Sequence, residues 1–132
     1  MARVTGVGGV FLKAHDPKEL AAWYAKHLGI TLSDPRGANF AWSDDVPAGT
    51  GMTVWSLFPG DTKYFGPGAQ TAMVNFRVDD LDGLLRQLAE AGVWIDTKRE
   101  DYEYGRFAWI KDPEGNRLEL WQPLPMPTDN NR

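Results

Sequence analysis

The sequence contains no cysteine. That excludes disulfides, thiolate nucleophiles and cysteine-ligated metals. Histidine is nearly as scarce, with only His15 and His27, so a two- or three-histidine metal site has little to draw on. Basic residues are outnumbered, 14 Lys and Arg against 18 Asp and Glu, for a net charge of −4. Binding to nucleic acid or to an anionic membrane needs the opposite balance, so neither partner is expected. Long apolar runs are missing too. The most apolar N-terminal stretch, Val7 to Leu12, ends in Lys13 and shows no cleavage pattern; it falls far short of the ~20 residues of a membrane span. A cytoplasmic protein is expected. What the chain has in quantity is aromatic: six Trp, four Tyr and six Phe among 132 residues. A chain of this length suits one domain and hides roughly two thirds of its unfolded surface, so it folds without a staple.

The order of elements repeats. Val7 to Ala14 reads as a strand. Asp16-Pro17-Lys18-Glu19 reads as a helix start, with Asp16 as cap, Pro17 at the first position and Glu19 closing a capping box. Leu20, Trp23, Tyr24, His27 and Leu28 follow at helical spacing, and Gly29 ends the helix. Ile30–Ser33, Asn39–Ser43 and Met52–Phe58 read as strands between turns. The stretch 59–70, rich in Gly and Pro, reads as a linker. A strand then follows over Thr71–Val78, and a helix opens at Asp79 and Asp80 with Leu81, Leu84, Leu85 and Leu88 as its stripe. Gly92 stops it. Val93–Lys98, Arg106–Lys111 and Arg117–Gln122 are three more strands, the last two joined by the turn Asp112-Pro113-Glu114-Gly115-Asn116. Asp16 and Asp80, Leu20 and Leu84, and Pro59 and Pro123 are each 64 residues apart, as a duplication requires.

These residues resemble the vicinal oxygen chelate superfamily, which includes glyoxalase I, extradiol dioxygenases and bleomycin-resistance proteins. The resemblance rests on the two βαβββ modules, Asp-Pro at the first helix, Asp79-Asp80-Leu81-Asp82 at the second, and above all Asp112–Trp121 at the end. It implies an α+β fold in which two βαβββ modules form a curled mixed sheet, an incomplete barrel with helices outside. It also implies one glyoxalase/bleomycin-resistance-like domain over 1–124, with module one at about 4–59, a linker at about 60–70 and module two at about 71–124. Residues 125–132 are expected to be a flexible tail. A homodimer is implied as well.

Metal enzymes of the superfamily hold a divalent ion with one residue from the first and last strand of each module. The resemblance places these positions at Gly9, Trp55, Met73 and Glu119. Of these only Glu119 offers a ligand to a hard or borderline cation. No cofactor is therefore expected, with a divalent metal at Glu119 as the alternative.

Strand alternation puts Asn75 and Arg77 on the face of Met73, Trp121 on that of Glu119, and Phe11 on that of Gly9. The expected ligand-binding residues are Phe11, Trp55, Met73, Asn75 and Trp121, the lining of an aromatic cavity for a small organic molecule. Trp55 and Trp121 fill the core on a plainer reading. Arg77 and Glu119 are candidate catalytic residues, an anchor for a substrate carboxylate and a base; an ion pair between them is the structural reading. Tyr64, Phe65, Tyr102, Tyr104, Phe107 and Trp109 form either a pocket mouth or a dimer seam. The leading expectation is a metal-free small-molecule-binding protein. The alternative is a glyoxalase-like lyase, isomerase or dioxygenase using Glu119 as base or metal ligand, with Asp101, Glu103 or His15 as further ligands.

Overall fold

Asp16 begins the first helix as its sequence requires. Its carboxylate accepts the Glu19 N–H at 3.1 Å, satisfying one of the open N–H groups of the first turn. The computed structural model describes residues 3, 7, 9–45 and 47–125. Helix α1 runs Pro17–Leu28 and ends at Gly29, whose φ of 69° is the left-handed region that a side chain resists. A short 3₁₀ turn, Trp42–Asp44, follows. Then come β1 (Val74–Arg77), α2 (Leu81–Glu90), β2 (Ile95–Tyr102), β3 (Gly105–Lys111) and β4 (Arg117–Pro123). Asp80 caps α2 by accepting the Gly83 N–H. The class is α+β, two helices on a four-stranded mixed sheet of order β1-β4-β3-β2, with β1 parallel to β4 and the other pairs antiparallel. No helix among the described residues is long and apolar enough to cross a membrane.

The core lies between α2 and one face of the sheet. Leu81 and Leu88 of α2 pack on Ala108 and Ile110 of β3 and Leu118 and Leu120 of β4. Burying each leucine stabilises the fold by roughly 1.5–3 kcal/mol. Trp23, Tyr24 and Leu28 bring α1 against the same cluster. Alternation turns Glu119 and Trp121 to the opposite face, away from the helices.

The N-terminal half departs from its sequence pattern. Among the described residues of Val7–Ala14, Ile30–Ser33, Asn39–Ser43 and Met52–Phe58 there is no strand; one isolated bridge, Asp34 to Gly37, is all that pairs there. The reason is a missing partner. Val10, Phe11, Leu12, Met52, Val54, Trp55 and Leu57 are all exposed, neighbours and alternate residues alike. A strand needs a ladder and a covered face, and within this single chain these segments have neither. The expected strand at Thr71–Val78 shortens to β1, and the one at Val93–Lys98 starts later and runs on to Tyr102 past a register shift. Of the expected tail, residues 126–132 lie outside the described residues.

Candidate functional site

Register assembles the first cluster. Asn75 on β1, Glu119 on β4 and Trp109 on β3 lie side by side, on the face opposite the helices. Glu119 is buried, 8 % exposed. Its carboxylate accepts from Asn75 Nδ2 at 2.6 Å, from the Tyr64 hydroxyl at 2.6 Å and from Trp109 Nε1 at 3.0 Å. Tyr64 comes from the 59–70 segment. Its ring stands edge-on to Trp109 with centroids 5.7 Å apart and stacks on Phe58 at 5.3 Å. Burial, and then the bond to Glu119, push the Tyr64 phenol well above its ordinary range.

Cations close the cluster's rim. Lys98 Nζ lies 5.2 Å from the centre of the Trp109 ring and pairs with Glu100 at 3.2 Å. Arg117 pairs with Asp96 at 2.9 Å. The Lys98 backbone N–H, and then Arg117, hold the Asp96 carboxyl below the usual range. A lone carboxylate ringed by three N–H and O–H donors, with no second carboxylate or imidazole beside it among the described residues, does not fit a divalent ion. Gly9 and Trp55 add no ligand. Among the described residues no three His, Asp or Glu side chains gather as a metal site would require. His27 instead packs on Trp23 at 5.1 Å, and Asp101 pairs with Arg99 at 3.1 Å.

A second register row lies beside the first: Arg77 on β1, Trp121 on β4 and Phe107 on β3. Trp121 stacks on Phe107, centroids 6.1 Å apart and planes within 5°. Phe107 in turn meets Tyr102 and Tyr104, whose rings stack at 5.2 Å. Arg77 forms no ion pair with Glu119. Its Nη2 donates to the Thr50 hydroxyl at 2.5 Å.

Arg77 also lines a groove of about 1630 Å³ between residues 39–55, the end of α1, the end of β1 and the start of α2. Phe40, Trp42, Met52 and Trp55 line the same groove. So the sequence-expected residues divide. Arg77 and Trp55 share the groove. Asn75 and Glu119 belong to the Tyr64 cluster, and Trp121 to the aromatic row. Met73 is half-buried just ahead of β1. Phe11, 95 % exposed, joins none of them. Tyr64 was not assigned to Glu119 by the sequence, because a linker has no period to reveal its facing.

Comparison with known proteins agrees with this architecture. The family model described as Glyoxalase/Bleomycin resistance protein/Dioxygenase superfamily matches residues 6–120. The uncharacterized protein YaeR of Escherichia coli (strain K12) is 33% identical over 108 residues, covering 76% of this chain and 83% of that one. The crystal structure of TnmS3, an antibiotic binding protein from Streptomyces sp. CB03234, has a TM-score of 0.57 at 24% identity and covers 93% of this chain and 99% of that one. A glyoxalase/bleomycin resistance protein/dioxygenase from Nocardioides has a TM-score of 0.57 at 18% identity, covering 98% and 90%. These structural likenesses speak to the fold, and the family match spans nearly the whole chain: it belongs to the glyoxalase/bleomycin resistance protein/dioxygenase superfamily.

Proposed function

We propose that this protein binds a small aromatic or apolar organic molecule, without a metal, as a homodimer in the cytoplasm. One observation carries the reading. Phe40, Trp42, Met52 and Trp55, between 66% and 72% exposed, line a single groove. Four large apolar side chains left open along one groove mark a place where something binds. TnmS3, similar in fold, is an antibiotic binding protein, which supports the same class of function for this chain. A second copy of the chain is the proposed cover for the other exposed apolar residues of the N-terminal half, Val10, Phe11, Leu12 and Leu57 among them. Three donors fix Glu119 as an acceptor within the fold, which favours a structural role for it over base catalysis.

Two measurements test this. Tryptophan fluorescence of the full chain is titrated with 2-naphthamide and with naphthalene; saturable quenching that Trp55→Ala abolishes is expected. Absence of quenching by every aromatic probe defeats the binding reading. Light scattering at micromolar concentration is expected to give twice the chain mass, and the mass of a single chain defeats the dimer.

A further inference from the structure

Arg77 is a partly buried cation without a counter-ion. Among the described residues no carboxylate lies within ion-pair distance of it, and the only hydrogen bond its side chain makes is to Thr50. Its Nε is buried with no partner. A charge in that position is costly unless it is paired, so its persistence asks for an acceptor from outside the chain.

None of the carboxylates nearby among the described residues pairs with it. Glu119, on the same sheet face, is held by Tyr64, Asn75 and Trp109. Asp45, in the groove, accepts the Thr50 and Gly51 N–H groups at 2.7 and 2.8 Å, and Asp80 caps α2. Asp44 and Asp79 also line the groove but face solvent. The Asp45 contacts are what bring Thr50 up to Arg77, so the guanidinium is positioned by a built loop and left unneutralised.

We infer that the groove takes an aromatic carboxylic acid, with the carboxylate on Arg77 and the ring against Trp42 and Trp55. This rests on the groove being the ligand site and adds the class of ligand. A guanidinium presents paired N–H donors at the spacing of a carboxylate's oxygens, which a neutral isostere of the acid cannot match. Aromatic walls and a guanidinium without a counter-ion on the same groove, which Lys26 also lines, select a flat ring carrying an acid over a flat ring alone.

The experiment is calorimetric titration of the full chain with 2-naphthoate and with 2-naphthamide, which has the same shape and no charge. Naphthoate is expected to bind about tenfold more tightly, the worth of one charge-assisted bond. In Arg77→Met that ratio is expected to fall to about one. Equal affinities in the unmutated chain overturn the acid while leaving an aromatic site. Binding of neither probe overturns both readings. A naphthoate preference that survives Arg77→Met also overturns the proposal, since the charge is then read elsewhere. The ¹⁵Nε–H resonance of Arg77 gives a readout without mutation. It is expected to shift with naphthoate and stay with naphthamide, and no shift with naphthoate overturns the assignment.

Discussion

The Tyr24 hydroxyl donates to the Asp112 carboxylate at 2.7 Å, tying helix α1 to the turn between β3 and β4 across 88 residues of sequence. The same carboxylate accepts from the Glu114 and Asn116 backbone N–H groups and from Asn116 Nδ2. Glu114 completes the link by accepting the His15 and Asp16 N–H groups at 2.7 and 3.1 Å, at the start of α1. The turn that reads most strongly as a family motif is therefore a clasp between the two halves of the chain. Tyr24→Phe is expected to cost about 1–2 kcal/mol, the worth of one hydrogen bond to a charged, partly buried acceptor. Asp112→Ala is expected to cost more, because it strands the Tyr24 hydroxyl and unties the turn. Urea unfolding of both variants measures the two costs.

The clasp has an alkaline signature. Burial first, and then the bond to Asp112, raise the folded Tyr24 phenol above its ordinary value of 10.0. A raised pKa means that the folded state holds the proton more tightly than the unfolded chain does. The stabilisation is fully present below 10.0 and is lost as pH climbs from there towards the higher folded value. Melting temperature is expected to fall above about pH 10, and to fall less steeply in Tyr24→Phe. Parallel slopes for the two proteins disprove the linkage.

Glu114 supplies the acidic counterpart. The His15 and Asp16 N–H groups hold its carboxyl below the ordinary 4.5. Its contribution is present above 4.5 and is lost as pH falls through the lowered folded value. Glu114→Gln is expected to lower stability at neutral pH and to flatten the acid side of the profile, so that the two proteins converge as pH falls. A melting series between pH 5 and pH 2 checks this, and an unchanged acid slope in the variant counts against it.

Much of the inner sheet face was legible. The inward face of the strand over 106–111 was not, and only the register shows Trp109 opposite Glu119 across β3 and β4. Alternation alone put Asn75 with Arg77 and Glu119 with Trp121. Tyr64 was not legible, because its bond to Glu119 spans 55 residues from a segment without period. Nor was the unpaired state of Met52–Phe58. Its residues have strand propensity, but propensity is local and a ladder needs a partner. The ion pair between Arg77 and Glu119 failed for a related reason: charge suggests a pairing, and only geometry shows that three neutral donors reach the carboxylate first.

Those donors make a prediction about Glu119. Glu119→Ala strands the buried Trp109 Nε1, at about 1–3 kcal/mol, and removes the bonds from the half-buried Tyr64 hydroxyl and the exposed Asn75 amide as well. Tyr64→Phe removes one bond, so it is expected to cost less, about 1–2 kcal/mol. A double-mutant cycle with Glu119→Gln and Tyr64→Phe is expected to show coupling between the two. Additive effects mean that the hydroxyl contributes nothing through Glu119.

Gly105, buried at the start of β3, is the last test. A methyl group built there lies 2.5 Å from Trp121 Nε1 and 3.0 Å from Cδ1. No carbon sits that close to a ring it does not bond, so Gly105→Ala must displace the indole. Trp121 is stacked on Phe107, and Phe107 meets Tyr102 and Tyr104, so the shift is felt through the whole row. Overpacking of this kind costs about 1–3 kcal/mol. The expected observation is lower stability together with a changed near-ultraviolet circular dichroism spectrum. The groove, which neither Trp121 nor Phe107 lines, is expected to keep its affinity for 2-naphthamide. Loss of stability with an unchanged aromatic spectrum means the cost arises in the β2–β3 turn and not in the Trp121 stack.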